Sequence, residues 1–209
     1  MEEIKRENRK ISVKEKKRLD NFEKISEKLK KDGYERHDLT ISLKEANTKG
    51  LLFPLPFVLL FIVLYFFVFN NDFESWSYFL VILYFLVSLV IHELLHGITW
   101  AIFTKRHFKD IEFGLVLSEL TPYCTCKSYL KKYQYIIGSI MPFLILGIIF
   151  TTFIFFFPNV NLFVLGLLML FGTGGDLTII YLILKNKSKK EKVLYIDHPV
   201  NCGVVMFDK

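Results

Sequence analysis

Leu89-Val90-Ile91-His92-Glu93-Leu94-Leu95-His96-Gly97 sets two histidines and a glutamate inside an apolar run that has no Lys or Arg from residue 51 to residue 104. A second run, residues 134–184, is equally free of basic side chains. The acidic and histidine residues within the two runs are Asp72, Glu74, His92, Glu93, His96 and Asp176. Asp72 and Glu74 lie in Asn70-Asn71-Asp72-Phe73-Glu74-Ser75, which reads as an aqueous turn between two apolar segments. What stays at membrane depth is the His-Glu-x-x-His group and Asp176. A charged side chain at the centre of a membrane helix costs about 2.5–3.5 kcal/mol on insertion scales, so such residues usually mark function.

Composition supports the membrane reading. Of 209 residues 52% are hydrophobic, 22 are Phe, and the mean hydropathy is positive. Four segments, about 51–70, 77–103, 134–157 and 160–184, each meet the requirement of about 20 apolar residues for a 30 Å hydrocarbon core. The expected fold is an all-α membrane protein of four transmembrane helices with small cytosolic β-hairpin elements. The first 50 residues are rich in charge, so no cleavable signal peptide is expected and the first span acts as an uncleaved anchor.

Basic residues set the expected orientation. Fifteen of the 27 Lys and Arg fall in 1–50, six in 104–132 and six in 185–209, and the turns at 70–76 and 158–161 hold none. Positive-inside bias then puts both termini and the long middle loop in the cytosol of a multi-pass membrane protein. The same distribution accounts for the net charge of +6 without nucleic acid, for which no stacking platform or fold signature is evident. Cys124, Cys126 and Cys202 all fall on the cytosolic side, where they stay reduced.

Three regions follow. Residues 1–50 read as a cytosolic charged helix and linker, 51–184 as a four-helix transmembrane core that includes cytosolic loop 104–132, and 185–209 as a cytosolic tail. Within the first, residues 2–32 predict a helix with a thin stripe of Leu19, Phe22, Ile25 and Leu29, ended by Asp32-Gly33, lying on the bilayer or the protein. The linker from His37 to Asn47 contains an alternating piece, Leu39, Ile41 and Leu43. β-prone runs at 111–117 and 120–126, and at 193–196 and 203–207, predict two hairpins.

Helical spacing makes the chemistry concrete. Residues four apart lie about 40° from each other and about 6 Å up the axis, so His92 and His96 present two imidazoles on one face, close enough to share a metal ion. Glu93 lies about 100° round, beside the metal, where it can take a proton from the attacking water and later protonate the leaving amine. A catalytic zinc takes a third protein ligand and keeps one position open. Asp176 meets that need. His92 and His96 precede the inner end of the second span, Phe103, by eleven and seven residues, and Asp176 precedes that of the fourth, Leu184, by eight. Both sites then sit about 10–16 Å inside the cytosolic boundary. Gly172, Gly174 and Gly175 remove side chains just before the carboxylate, which would let this helix approach the second span and unwind locally.

Two histidines, an intervening glutamate and a remote aspartate thus imply a zinc hydrolase. The chain here resembles the site-2 protease group of intramembrane zinc metalloproteases, which carry HExxH on one transmembrane helix and an aspartate near glycine on a later one. More closely, it resembles a zincin peptidase family of bacterial multi-pass membrane proteins. The residues that carry this are Asp38-Leu39-Thr40, Lys44-Glu45-Ala46-Asn47, His92–Gly97, Phe113-Gly114, Thr121-Pro122-Tyr123-Cys124, Gly174-Gly175-Asp176 and Asp197-His198-Pro199. The resemblance implies His92, His96 and Asp176 as Zn2+ ligands, Glu93 as the base and a bacterial plasma membrane as the location. It departs from the larger site-2 group in having Gly-Gly before the aspartate and Leu177 after it.

Other reactive residues read more plainly. His107, among Lys105, Arg106 and Lys109, is an interfacial histidine. His198, before Pro199, belongs to a turn. Cys124 and Cys126 make an incomplete zinc set and read as loop packing. Segment 111–127 could bind an extended substrate by strand addition at a sheet edge. The expected activity is an intramembrane zinc metalloendopeptidase acting on a membrane protein or peptide near the cytosolic half of the bilayer. Two rivals remain at this point: a non-proteolytic zinc-binding sensor or scaffold, and a small proton or metal transporter, which the lack of a visible inverted repeat disfavours.

Overall fold

A computed structural model describes residues 13–69, 77–116 and 121–209. The expected turn around Asp72 and Glu74 lies outside the described residues, as do residues 2–12 of the predicted first helix and 117–120 of the middle loop. Helix α1 (Val13–Lys31) is followed by strand β1 (Glu35–Thr40), α2 (Leu43–Leu52), α3 (Leu55–Phe69) and α4 (Tyr78–Phe103). Strands β2 (Ile111–Val116), β3 (Thr121–Cys126) and β4 (Leu130–Lys131) precede α5 (Lys132–Pro142), a π-helical stretch Phe143–Ile149, α6 (Phe150–Phe153), α7 (Val160–Gly172) and α8 (Gly174–Lys185). The chain ends with β5 (Val193–Asp197) and β6 (Gly203–Asp208).

Among the described residues, four helical runs are long and apolar enough to cross a membrane: Glu45–Phe69, Tyr78–Phe103, Lys132–Phe153 and Val160–Lys185. They match the four expected segments, with informative differences at their ends. The first begins earlier, because Ser42 caps α2 by accepting from the Glu45 N–H, and α2 then leads through Phe53 and Pro54 into α3. The third changes winding at Pro142, which has no N–H to give the helical ladder, and closes at Phe153. The fourth is broken at Thr173 into α7 and α8, which places Asp176 in the first turn of a new helix.

At one end of this bundle the terminal segments form a single antiparallel sheet in the order β1-β6-β5-β4. Glu35 pairs with Asp208 and Thr40 with Gly203 along β1 and β6, so the region before the helices and the region after them lie side by side. The linker expected from His37 to Asn47 is therefore the end of a strand, a cap and the start of α2. α1 lies on this sheet, where Phe22 and Leu29 are buried with Ile196, Val205 and Phe207. The predicted stripe thus packs against protein. β2 and β3 form a separate two-stranded sheet, as the sequence predicted, and β3 touches β5 through Thr125 and Asp197. The described segments on either side of the helices, β1 and β5–β6, and strand β3 of the middle loop consequently gather at the same end of the helices.

Candidate metal centre

His92 and His96 are both buried on one face of α4, with their Nε2 atoms 3.2 Å apart. Asp176 reaches them from α8: its Oδ2 is 3.2 Å from His92 Nε2 and its Oδ1 is 3.1 Å from His96 Nε2. The two elements are brought together by α5, which packs on both.

The orientation of His96 is traceable to two residues of α5. Pro142 has no N–H, so the Gly138 carbonyl four residues earlier lacks its helical donor, and the Phe143 N–H turns to Ile140 instead. His96 Nδ1 donates to that Gly138 carbonyl at 2.8 Å. A carbonyl only accepts, so Nδ1 carries the proton and a neutral ring leaves the Nε2 lone pair facing His92 and Asp176. Gly138 also has to be glycine for a second reason: a Cβ there would run into the Trp100 indole. That indole stacks on His96 with ring centroids 5.1 Å apart and 15° between planes.

The three glycines before Asp176 do not act as the sequence suggested. Gly172 and Gly175 face open space, whereas a Cβ on Gly174 would collide with the backbone carbonyl of Gly50. The close approach is therefore between α8 and α2, rather than between α8 and α4. Gly97, directly after His96, makes room for Phe113 of β2, so the hairpin seats itself against the same helix turn.

Glu93 is half-buried beside the pair of histidines, and the Cys124 backbone of β3 hydrogen-bonds its carboxyl group. These groups line a cavity of about 230 Å³ with Trp100, Pro122, Tyr135 and Asp197 also in its wall. Sequence reasoning missed Tyr135, and Asp197 entered it only within Asp197-His198-Pro199. The Asp197 carboxylate accepts from the Tyr135 hydroxyl, from Thr125 Oγ1 at 2.8 Å and from the Cys126 N–H at 2.9 Å. Nothing in the local pattern around Tyr135 marked it.

A metal fits the donors. Three acceptor groups converge, and Asp176 Oδ2 is buried without any hydrogen-bond donor. Tetrahedral zinc with bonds of about 2.0–2.1 Å sets its ligand atoms about 3.3–3.4 Å apart, close to the 3.1–3.2 Å found here. A second grouping, Glu35, His37 and Asp208, has a cation of its own: Lys190 Nζ lies 2.6 Å from Glu35 and 3.1 Å from Asp208.

The remaining reactive residues have structural partners. His107, at φ 52°, donates from Nδ1 to the Ala101 carbonyl and closes the end of α4. His198 Nδ1 accepts from the N–H groups of Val200 and Asn201, which needs a neutral ring, and burial lowers its pKa accordingly. Cys126 is fully buried in the core, and burial pushes its thiol up to about 12. Cys124 is raised further by burial and by the neighbouring carboxylates Glu93 and Asp197.

No curated protein and no solved structure matches the chain. Residues 85–190 match a family model described as "Putative zincin peptidase", a span that holds the paired histidines, Glu93 and Asp176. Because that match covers half of the sequence, the chain belongs to this zincin peptidase family.

Proposed function

We propose that the chain is an intramembrane zinc metalloendopeptidase that hydrolyses peptide bonds of membrane-associated substrates near the cytosolic side. The observation that carries the reading is the meeting of His92, His96 and Asp176 within 3.2 Å, beside Glu93, on helices long enough to cross a bilayer. His92 Nε2, His96 Nε2 and an oxygen of Asp176 would hold Zn2+. When bound, zinc polarises the scissile carbonyl and lowers the pKa of water toward about 7.

The chain's own residues supply the proton chemistry and the geometry. Glu93 takes a proton from the attacking water as the new C–O bond forms, and delivers it to the amide nitrogen as the C–N bond breaks. The Cys124 amide holds the Glu93 carboxyl at the cavity wall while it does so. Trp100 and Gly138 fix the His96 ring, so the ligand face is set before substrate binds.

Replacing Glu93 by Gln separates this reading from a zinc sensor or scaffold. Glu93→Gln retains about one zinc per chain by metal analysis and loses a factor of about 10²–10⁴ in cleavage of quenched-fluorescent casein in detergent. Equal turnover by wild type and variant would remove Glu93 from the chemistry.

A further inference from the structure

We propose that Asp197 is a positioning residue for Glu93 and acts through strand β3; the idea rests on Glu93 being the base. Asp197 ends β5, beyond the residues that the family model matches. Two of its three donors, Thr125 Oγ1 and the Cys126 N–H, belong to β3, and the third, the Tyr135 hydroxyl, belongs to α5. One carboxylate therefore ties β3 to the helix that also carries Gly138, the partner of His96.

The strand geometry carries this tie to Glu93. Successive N–H groups leave a strand by opposite edges, so residues two apart share an edge. The Cys126 N–H leaves β3 toward Asp197, and the Cys124 N–H must leave by the same edge, about 7 Å along, where it meets Glu93. The register agrees: Cys124 and Cys126 oppose Phe113 and Ile111, and Lys127 N–H bonds the Asp110 carbonyl, so the odd-numbered positions carry the ladder to β2. A slip of β3 by one residue would put the even-numbered positions on the ladder, where Pro122 has no N–H to give, and would turn the Thr125 side chain to the opposite face, away from Asp197. Asp197, held by three donors, forbids that slip. Glu93 can then rely on a single amide for its placement.

The test uses the full chain, zinc-loaded in detergent, as Asp197→Ala, Asp197→Asn, Tyr135→Phe and wild type. Hydrogen exchange of peptides covering residues 121–126 is followed with zinc content and with kcat and KM on quenched-fluorescent casein. Asp197→Ala is expected to raise exchange at Cys124 and Cys126 about tenfold, keep about one zinc per chain, and lower kcat with little change in KM. Asp197→Asn retains an acceptor oxygen and falls between, and Tyr135→Phe leaves both β3 donors bonded and exchanges as wild type does. Unchanged β3 exchange in Asp197→Ala overturns the proposal. So does a loss of zinc and of protection throughout the chain in both Asp197 variants, which would make Asp197 a folding residue. Failure of wild type to cleave casein counts against the peptidase reading alone, because the exchange data still decide the clamp.

Discussion

At the scale of single residues, the site depends on where a side chain is missing as much as on where one is present. Gly174 has no Cβ because the Gly50 carbonyl occupies that space, and two residues later Asp176 leaves the same helix turn toward the histidines. Backbone cannot move aside as a flexible side chain can. Gly174→Ala must therefore push α8 from α2, at a cost of about 1–3 kcal/mol for an overpacked contact. The expected result is a lower melting temperature in detergent and a substoichiometric zinc content. Gly172→Ala and Gly175→Ala enter open space and are expected to hold full zinc, with a melting temperature at or slightly above wild type because Ala favours helix over Gly. Gly50→Ala is tolerated too, since its Cβ would stand 3.6 Å from Gly174, an ordinary contact. If all four variants melt and bind zinc alike, the α2–α8 approach does not position Asp176. Sequence could point to the pair of histidines and to Asp176, because charge is costly in an apolar run. It could not say which glycine mattered, because that depends on which helix lies alongside.

Among elements, hairpin β2–β3 has two edges with different tasks. The edge toward the cavity belongs to β3, and its N–H groups at Cys124 and Cys126 are already engaged by Glu93 and Asp197, while Pro122 has none to give. An extended substrate lying there would find only carbonyl acceptors. The hairpin is thus suited to hold Glu93, the proposed base, in place. Leu115 pairs with Pro122, a position of β3 whose polar groups point away from β2, so the Leu115 N–H lies off the ladder on the outer edge. Leu115→Pro is then expected to keep the fold and to cleave casein within about twofold of wild type, since a proline on an outer edge costs no ladder bond. Gly114→Pro removes a ladder donor and is expected to cut kcat at least tenfold. Abolished cleavage in zinc-replete Leu115→Pro would show instead that the outer edge takes part in substrate binding. The helices were legible because twenty apolar residues in a row have few other uses, and the hairpins because β-prone runs flank short polar breaks. The change of winding at Pro142 was legible only in principle; its consequence, a carbonyl freed for His96, needed the neighbouring helix in view.

For the whole molecule, the terminal sheet was the least legible feature. β1 and β6 are separated by more than 160 residues, and pairing at that distance leaves no local signal beyond a weak alternation near Leu39. Yet the pairing fixes something that charge counting only suggested: the segment before the first long helix and the segment after the last lie at one end of the bundle, with Asp197 between that sheet and the site. The side of the membrane they face can be read from the cysteines. Cys202 is exposed in the β5–β6 turn, Cys126 is buried, and burial holds the Cys124 and Cys126 thiols well above their ordinary range. Thiolate is the reactive form, so a raised pKa slows alkylation, and a brief maleimide pulse at neutral pH marks Cys202 selectively. With both termini cytosolic, a membrane-impermeant maleimide is expected to label inside-out vesicles and to leave right-side-out vesicles unlabelled, with Cys202→Ser blank in both. Labelling of right-side-out vesicles alone would reverse the orientation of the whole bundle. It would then carry the proposed metal centre to the opposite half of the bilayer, because β1, β6 and β3 lie together at one end of the helices.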